Sequence, residues 1–176
     1  MIDISVAYNR YKFLGYEFLT WLWFLIQEDL GEIKKADPEL LSLDIGNRLV
    51  LENRIGESAE VITIKGDDAG LEEGILALKK GAVVTEMNLL YKSGDYEWRF
   101  TLKGDGLTMA SLRTPDTGKV ETKEDLEGAV LEKIYLREKA VSLMEQLFGQ
   151  FIRLRISKEW DKIMVSSIRQ WIHSND

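Results

Sequence analysis

The sequence contains no cysteine. That excludes a disulfide framework, a thiolate metal site and a thiol nucleophile, and it fits a reducing, cytoplasmic setting. The single histidine, His173, stands near the C-terminal end, where a solvated side chain is expected. A histidine-based triad or a paired-histidine metal site therefore has nothing to be built from. The serines do not fall in a G-x-S-x-G context, and no phosphate-binding G-x-x-x-x-G-K-[ST] loop occurs. Carboxylates are plentiful, but the D-x-D-x-D-G spacing of a calcium loop is missing. Asp67-Asp68 and Glu72-Glu73 read instead as the capped, solvated start of a helix. No catalytic residue, cofactor or metal ligand is expected, and the chain reads as a protein that is not an enzyme.

Long hydrophobic runs are also lacking. The most apolar stretch, Phe18 to Ile26, falls far short of the roughly 20 residues needed to cross a bilayer. The first residues show no charged start followed by an apolar segment, so neither a secretory signal nor a membrane span is expected. At 176 residues, with 45% hydrophobic and 30% charged side chains, the composition is that of one ordinary globular domain with a sizeable core. The net charge of −7 disfavours sequence-independent binding to a phosphate backbone, so any nucleic-acid surface has to be a local basic face.

What the chain does have is a strongly patterned middle, from Gly81 to Arg113. Val84, Met87, Leu89 and Tyr91 lead to Lys92-Ser93-Gly94-Asp95. Tyr96, Trp98, Phe100 and Leu102 then share one face of a second strand. Lys103-Gly104-Asp105-Gly106 interrupts, and Leu107 to Leu112 resumes. Two Gly/Asp-rich breaks between alternating runs predict a three-stranded meander.

Before it, a helix is expected from about Leu14 to about Asp29, apolar nearly all round. It reads as a buried core helix, or as one that packs a side bearing Trp21, Trp23 and Phe24 on a second copy of the chain. A membrane-surface role suits it less, because it lacks a basic polar face. Short strands follow at Leu40–Asp44, Arg48–Glu52 and Glu60–Lys65, with turn chemistry at Ile45-Gly46-Asn47 and around Gly56. A helix striped by Leu71, Ile75 and Leu78 ends at Lys79, Lys80 and a Gly81 cap. After a loop over 114–122, a helix begins at Glu124 or Asp125. Leu126, Val130, Ile134, Val141, Met144, Phe148 and Phe151 form one amphipathic stripe along it, with Gly149 as a weak point. A further helical segment spans about Ser157 to His173. The whole is a single α+β domain over 1–176: an apolar helical region over 1–30, a sheet with an inserted helix over 40–113, and C-terminal helices over 123–173. Antiparallel meander strands pack against helices, in one sheet or two.

Basic residues gather at Arg153, Arg155, Lys158 and Lys162, beside Trp160, with Lys79 and Lys80 as a second group. Basic side chains next to an aromatic ring suit phosphate contact. The same residues also complement helix C-terminal dipoles, and Glu159 and Asp161 interrupt the first group.

Several stretches carry a family resemblance. They are Glu60 to Lys65, Leu71 to Lys80, Gly81-Ala82-Val83-Val84-Thr85, the strand Met87 to Leu90, the hairpin at Ser93-Gly94, Trp98 to Leu102, and the helix with Leu143, Met144, Leu147, Phe148 and Gly149. Together with Phe18-Leu19-Thr20-Trp21-Leu22-Trp23, this succession resembles the C-terminal part of the RdgC family of recombination-associated proteins. The resemblance implies a non-catalytic protein that forms ring-shaped homodimers, binds duplex DNA with little sequence preference and restrains RecA-dependent recombination. The alternative is a homodimeric protein-interaction or scaffold module that does not bind DNA, working through the Trp21/Trp23 helix on a protein partner.

Overall fold

The computed structural model describes residues 11–56, 58–66 and 71–174. Asp67 and Asp68, and most of the N-terminal lead-in, lie outside the described residues. Among the described residues, five α-helices and five strands follow in the order α1 (Phe13–Glu28), α2 (Leu30–Lys34), β1 (Leu40–Ile55), β2 (Ser58–Lys65), α3 (Leu71–Lys79), β3 (Val83–Ser93), β4 (Tyr96–Lys103), β5 (Thr108–Arg113), α4 (Lys123–Arg155) and α5 (Val165–Ser174). The class is α+β, as expected. The strands form one antiparallel sheet in the order β2-β1-β3-β4-β5.

One sheet results because β1 is a single long strand, not the two short ones the turn chemistry suggests. Its register against β3 slips between Ile45/Leu89 and Leu49/Met87, so Ile45-Gly46-Asn47 makes an irregularity within a strand. Gly46 is required there: a Cβ on it would lie 2.2 Å from Asn88 Oδ1. Asn88 in turn donates through Nδ2 to the Phe100 carbonyl and to Thr101 Oγ1, both at 3.1 Å, stitching β3 to β4. The meander forms as the alternation requires, with Trp98, Phe100 and Leu102 buried beneath it. Its tight turn places Gly94 at φ +54°, a conformation that costs glycine little.

The helices cover the inner face of this sheet. Leu19, Leu22 and Trp23 of α1 are fully buried, and α3 approaches so closely that a Cβ on Gly74 would meet the Trp23 ring at 2.7 Å. Trp98 hooks α4 onto the sheet by donating its indole N–H to the Leu136 carbonyl at 2.9 Å. An aromatic cluster joins the C-terminal helices to α1: Phe18 meets Phe148 edge-on at 5.3 Å, and Trp23 meets Trp171 edge-on at 5.4 Å. Among the described residues, no helix is long and apolar enough to cross a membrane.

Two expectations for the C-terminal region change. α4 runs unbroken through Gly149, since tertiary packing on both sides of it outweighs one glycine's weak helix propensity. The break comes at Ser157, whose hydroxyl donates to the Leu154 carbonyl (2.7 Å) and accepts from the Glu159 N–H (3.2 Å). A single widened turn, Trp160–Met164, then leads into α5. The amphipathic stripe is also not one buried face. Leu136, Ala140, Leu143 and Leu147 face the sheet, while Leu126, Val130 and Ile134 stand about half exposed. The first three turns or so of α4 run past the body of the domain as an arm, every large apolar side chain before Leu136 being exposed.

Candidate nucleic-acid interface

The basic residues expected from the sequence gather at the α4–α5 junction, though not all are available. Arg153, Lys158 and Lys162 are exposed. Arg155 is committed within the chain: its Nε donates to Glu17 Oε2 at 2.6 Å, and its guanidinium lies 5.3 Å from the Trp160 ring. Trp160 is itself buried, edge-on to Phe151 at 5.5 Å, and offers no face to a base. Arg155 thus ties α1 to the junction and leaves the phosphate-contact set. Lys80 is exposed and Lys79 half-buried at the end of α3, where both complement the helix dipole.

The aromatic residues expected at an interface are placed differently. Trp21 and Trp23 are 3% and 0% exposed, and Phe24 packs on Trp171 at 5.8 Å. The sheet, α4 and α5 of the same chain cover the apolar α1 helix, so Trp21 and Trp23 are core residues and not interface anchors, while Phe24 is half-buried beside Trp171.

The outer face of the sheet supplies basic residues that clustering in sequence does not pick out. Because Trp98, Phe100 and Leu102 point inward, Glu97, Arg99, Thr101 and Lys103 point outward. Arg113 on β5 lies directly opposite Arg99, so the two guanidinium groups share this face. Around them, Arg48 and Lys103 both reach Glu86 (3.5 and 4.0 Å), and Lys92 pairs with Glu97 (3.4 Å). Among the described residues, neither Arg99 nor Arg113 has a carboxylate within ion-pair distance. Directly opposed like charges destabilise a sheet, and a bound anion would relieve them. The signal for Arg99 was present in the alternation of β4. The signal for Arg113 was not, because its register depends on an irregularity at Ser111, where φ is +53°.

A cleft of about 300 Å³ between α4 and the start of β1 holds the most perturbed ionisable pair. Tyr91 donates to Asp37 Oδ2 at 2.6 Å, and the Glu39 N–H donates to Asp37 Oδ1 at 3.0 Å. Burial alone would raise Asp37; the hydroxyls of Ser93 and Tyr91, the Glu39 N–H and the charge of Lys139 outweigh it and hold the carboxyl below its ordinary value. Tyr91 is pushed far above the ordinary phenol range, first by burial and then by Asp37. Lys139 reaches Glu39 at 3.3 Å and lies 5.7 Å from the Trp98 ring. The chain's own groups engage each of these charges, so the cluster is a structural knot that pins the turn before β1.

Glu72 and Glu73 lie exposed in the first turn of α3, and His173 is exposed in the last turn of α5. Among the described residues, no group of three or more His, Cys, Asp or Glu is arranged to hold a metal ion. Comparison with protein-family models, curated proteins and solved structures gives no match.

Proposed function

We propose that this chain is a non-catalytic, RdgC-like DNA-binding protein that contacts duplex phosphates through the outer face of its sheet. The observation that carries the reading is the Arg99–Arg113 pair, opposed across β4 and β5 and, among the described residues, without a carboxylate within ion-pair distance. Lys103 and Arg48 extend the basic face, and Arg153, Lys158 and Lys162 form a second, separate group. The residues that carry the RdgC resemblance (Phe18, Leu19, Trp21, Val84, Met87, Trp98, Leu143 and Leu147 among them) are core residues, so the likeness lies in the apolar frame. A net charge of −7 confines phosphate contact to such local faces and implies weak, strongly salt-dependent binding with little sequence preference. The setting that suits this role is the cytoplasm.

The test is fluorescence anisotropy with a labelled random-sequence duplex, at low and then physiological salt. Binding that weakens steeply with salt is expected. Replacing Arg99 and Arg113 by Gln should reduce the magnitude of the log–log salt slope by about 2, roughly 0.9 for each phosphate no longer neutralised. No binding even at low salt overturns the proposal. It would favour the second reading, a protein-interaction module without DNA binding, for which the exposed α4 arm speaks.

A further inference from the structure

A cavity of about 360 Å³ lies between the start of α1, the link from α3 into β3, and α5. Leu78, Ala82 and Trp160, all buried, line its inner part, and Phe13, on its rim, is 42% exposed. One stripe of α5 borders it: Val165, Ile168, Arg169 and Ile172 stand three and four residues apart and share a helix face. A buried stripe of that spacing is ordinarily apolar throughout, and here the cationic Arg169 interrupts it. The other polar groups of the lining are engaged within the chain. Glu17 accepts from Arg155 Nε at 2.6 Å, and Thr20 donates to the Tyr16 carbonyl at 3.1 Å. Arg169 is exposed and, among the described residues, has no carboxylate within ion-pair distance. The chain holds the space open from both ends of α5. Trp171 fixes the far end, edge-on to Trp23 at 5.4 Å and donating to Gln27 Oε1 at 2.9 Å. The widened turn Trp160–Met164 sets the near end, and single turns of this kind are frequent at functional sites.

We infer that this cavity binds a fatty acid of medium chain length, its hydrocarbon chain against the apolar lining and its carboxylate on Arg169. The volume sets the chain length. An apolar cavity of about 150 Å³ takes a benzene ring, so one of about 360 Å³ suits roughly a dozen carbons. The lining sets the chemistry: aliphatic and aromatic side chains hold the body of a ligand, and a single charge at the edge fixes its orientation. Arg169 sets the sign, since a guanidinium takes a carboxylate through two parallel hydrogen bonds. Glu17 on the same lining disfavours a head group with a second negative charge, which selects a carboxylate over a phosphate monoester. The cavity includes none of the basic residues of the outer sheet face, so the inference is independent of DNA binding.

Isothermal titration calorimetry with sodium decanoate tests it, on the full chain stripped of any bound lipid over a hydrophobic resin and below the concentration at which decanoate forms micelles. Saturable binding of one decanoate per chain is expected. Each added methylene from octanoate to dodecanoate should tighten binding about fourfold. The gain should stop at longer chains, which the cavity cannot hold. Arg169→Gln should weaken decanoate about fivefold, the scale of one exposed charge pair, and leave decanol unchanged. Ile168→Trp fills the cavity, so it should abolish binding with the thermal midpoint unchanged or raised. No saturable binding at any chain length overturns the inference and assigns the space to an apolar anchor from a protein partner. Binding that survives Ile168→Trp overturns the cavity as the site. Decylamine bound as tightly as decanoate, or decanoate affinity unmoved by Arg169→Gln, overturns carboxylate recognition.

Discussion

Gly15 of α1 and Gly104, just after β4, meet backbone to backbone. A Cβ on Gly15 would fall 1.7 Å from the Gly104 carbonyl oxygen, and one on Gly104 would fall 2.8 Å from the Tyr16 ring. The Gly104 N–H donates to the Thr85 carbonyl at 2.8 Å, so the turn cannot move away without losing a bond to β3. This contact sets how closely the most buried helix sits on the sheet.

Gly15→Ala should therefore destabilise the fold by about 1–3 kcal/mol, the range for overpacking a tight core. Urea denaturation should show a lower midpoint with an unchanged slope. An unshifted midpoint would mean that α1 slides freely on the sheet.

The Asp37–Tyr91 hydrogen bond predicts two limbs of pH dependence. Asp37 is held below its unfolded value, so its contribution is complete above about pH 4 and is lost as the pH falls through its folded pKa. Tyr91 is held above its unfolded value, so its contribution is complete below about pH 10 and is lost as the pH rises beyond that. Asp37→Asn should flatten the acid limb of stability measured by denaturant titration, and Tyr91→Phe the alkaline one. Tyr91→Phe should also cost about 1–3 kcal/mol at neutral pH, because a buried carboxylate loses a donor.

Trp98→Phe keeps an aromatic ring against Tyr91, with which Trp98 stacks at 4.5 Å, but removes the hydrogen bond to the Leu136 carbonyl. The expected loss is about 1–2 kcal/mol, the hydrogen bond plus the missing ring volume. It should be accompanied by faster amide exchange in the Leu136–Leu143 part of α4. Exchange unchanged there would show that packing alone holds the helix.

The arm begins with a reciprocal cap. The Asp125 N–H donates to Thr122 Oγ1 at 3.1 Å, and the Thr122 N–H donates to Asp125 Oδ2 at 2.8 Å. Thr122→Ala should lower amide protection over residues 123–130 by about fivefold. The global denaturation midpoint should hardly move, because the arm contributes nothing to the core. A large shift of that midpoint would mean the arm is energetically coupled to the body.

The sequence by itself determined the α+β class, the meander, the Gly81 helix cap, at φ +90°, and a C-terminal helix of more than seven turns. Each depends on residues a few positions apart: the alternation of Trp98, Phe100 and Leu102, a glycine directly after a helical stripe, or apolar residues spaced three and four apart. Only the tertiary structure decided that β1 is one strand joining two strand groups into one sheet, since that rests on β1 finding β3 some forty residues on. It also decided which apolar positions of α4 are buried. Leu126, Val130 and Ile134 have the periodicity of a core stripe, but the helix outruns the sheet, and burial depends on what lies opposite. The candidate site followed the same rule. Arg153, Lys158 and Lys162 were legible because they are neighbours in sequence, whereas Arg99 and Arg113 became a pair only through strand register.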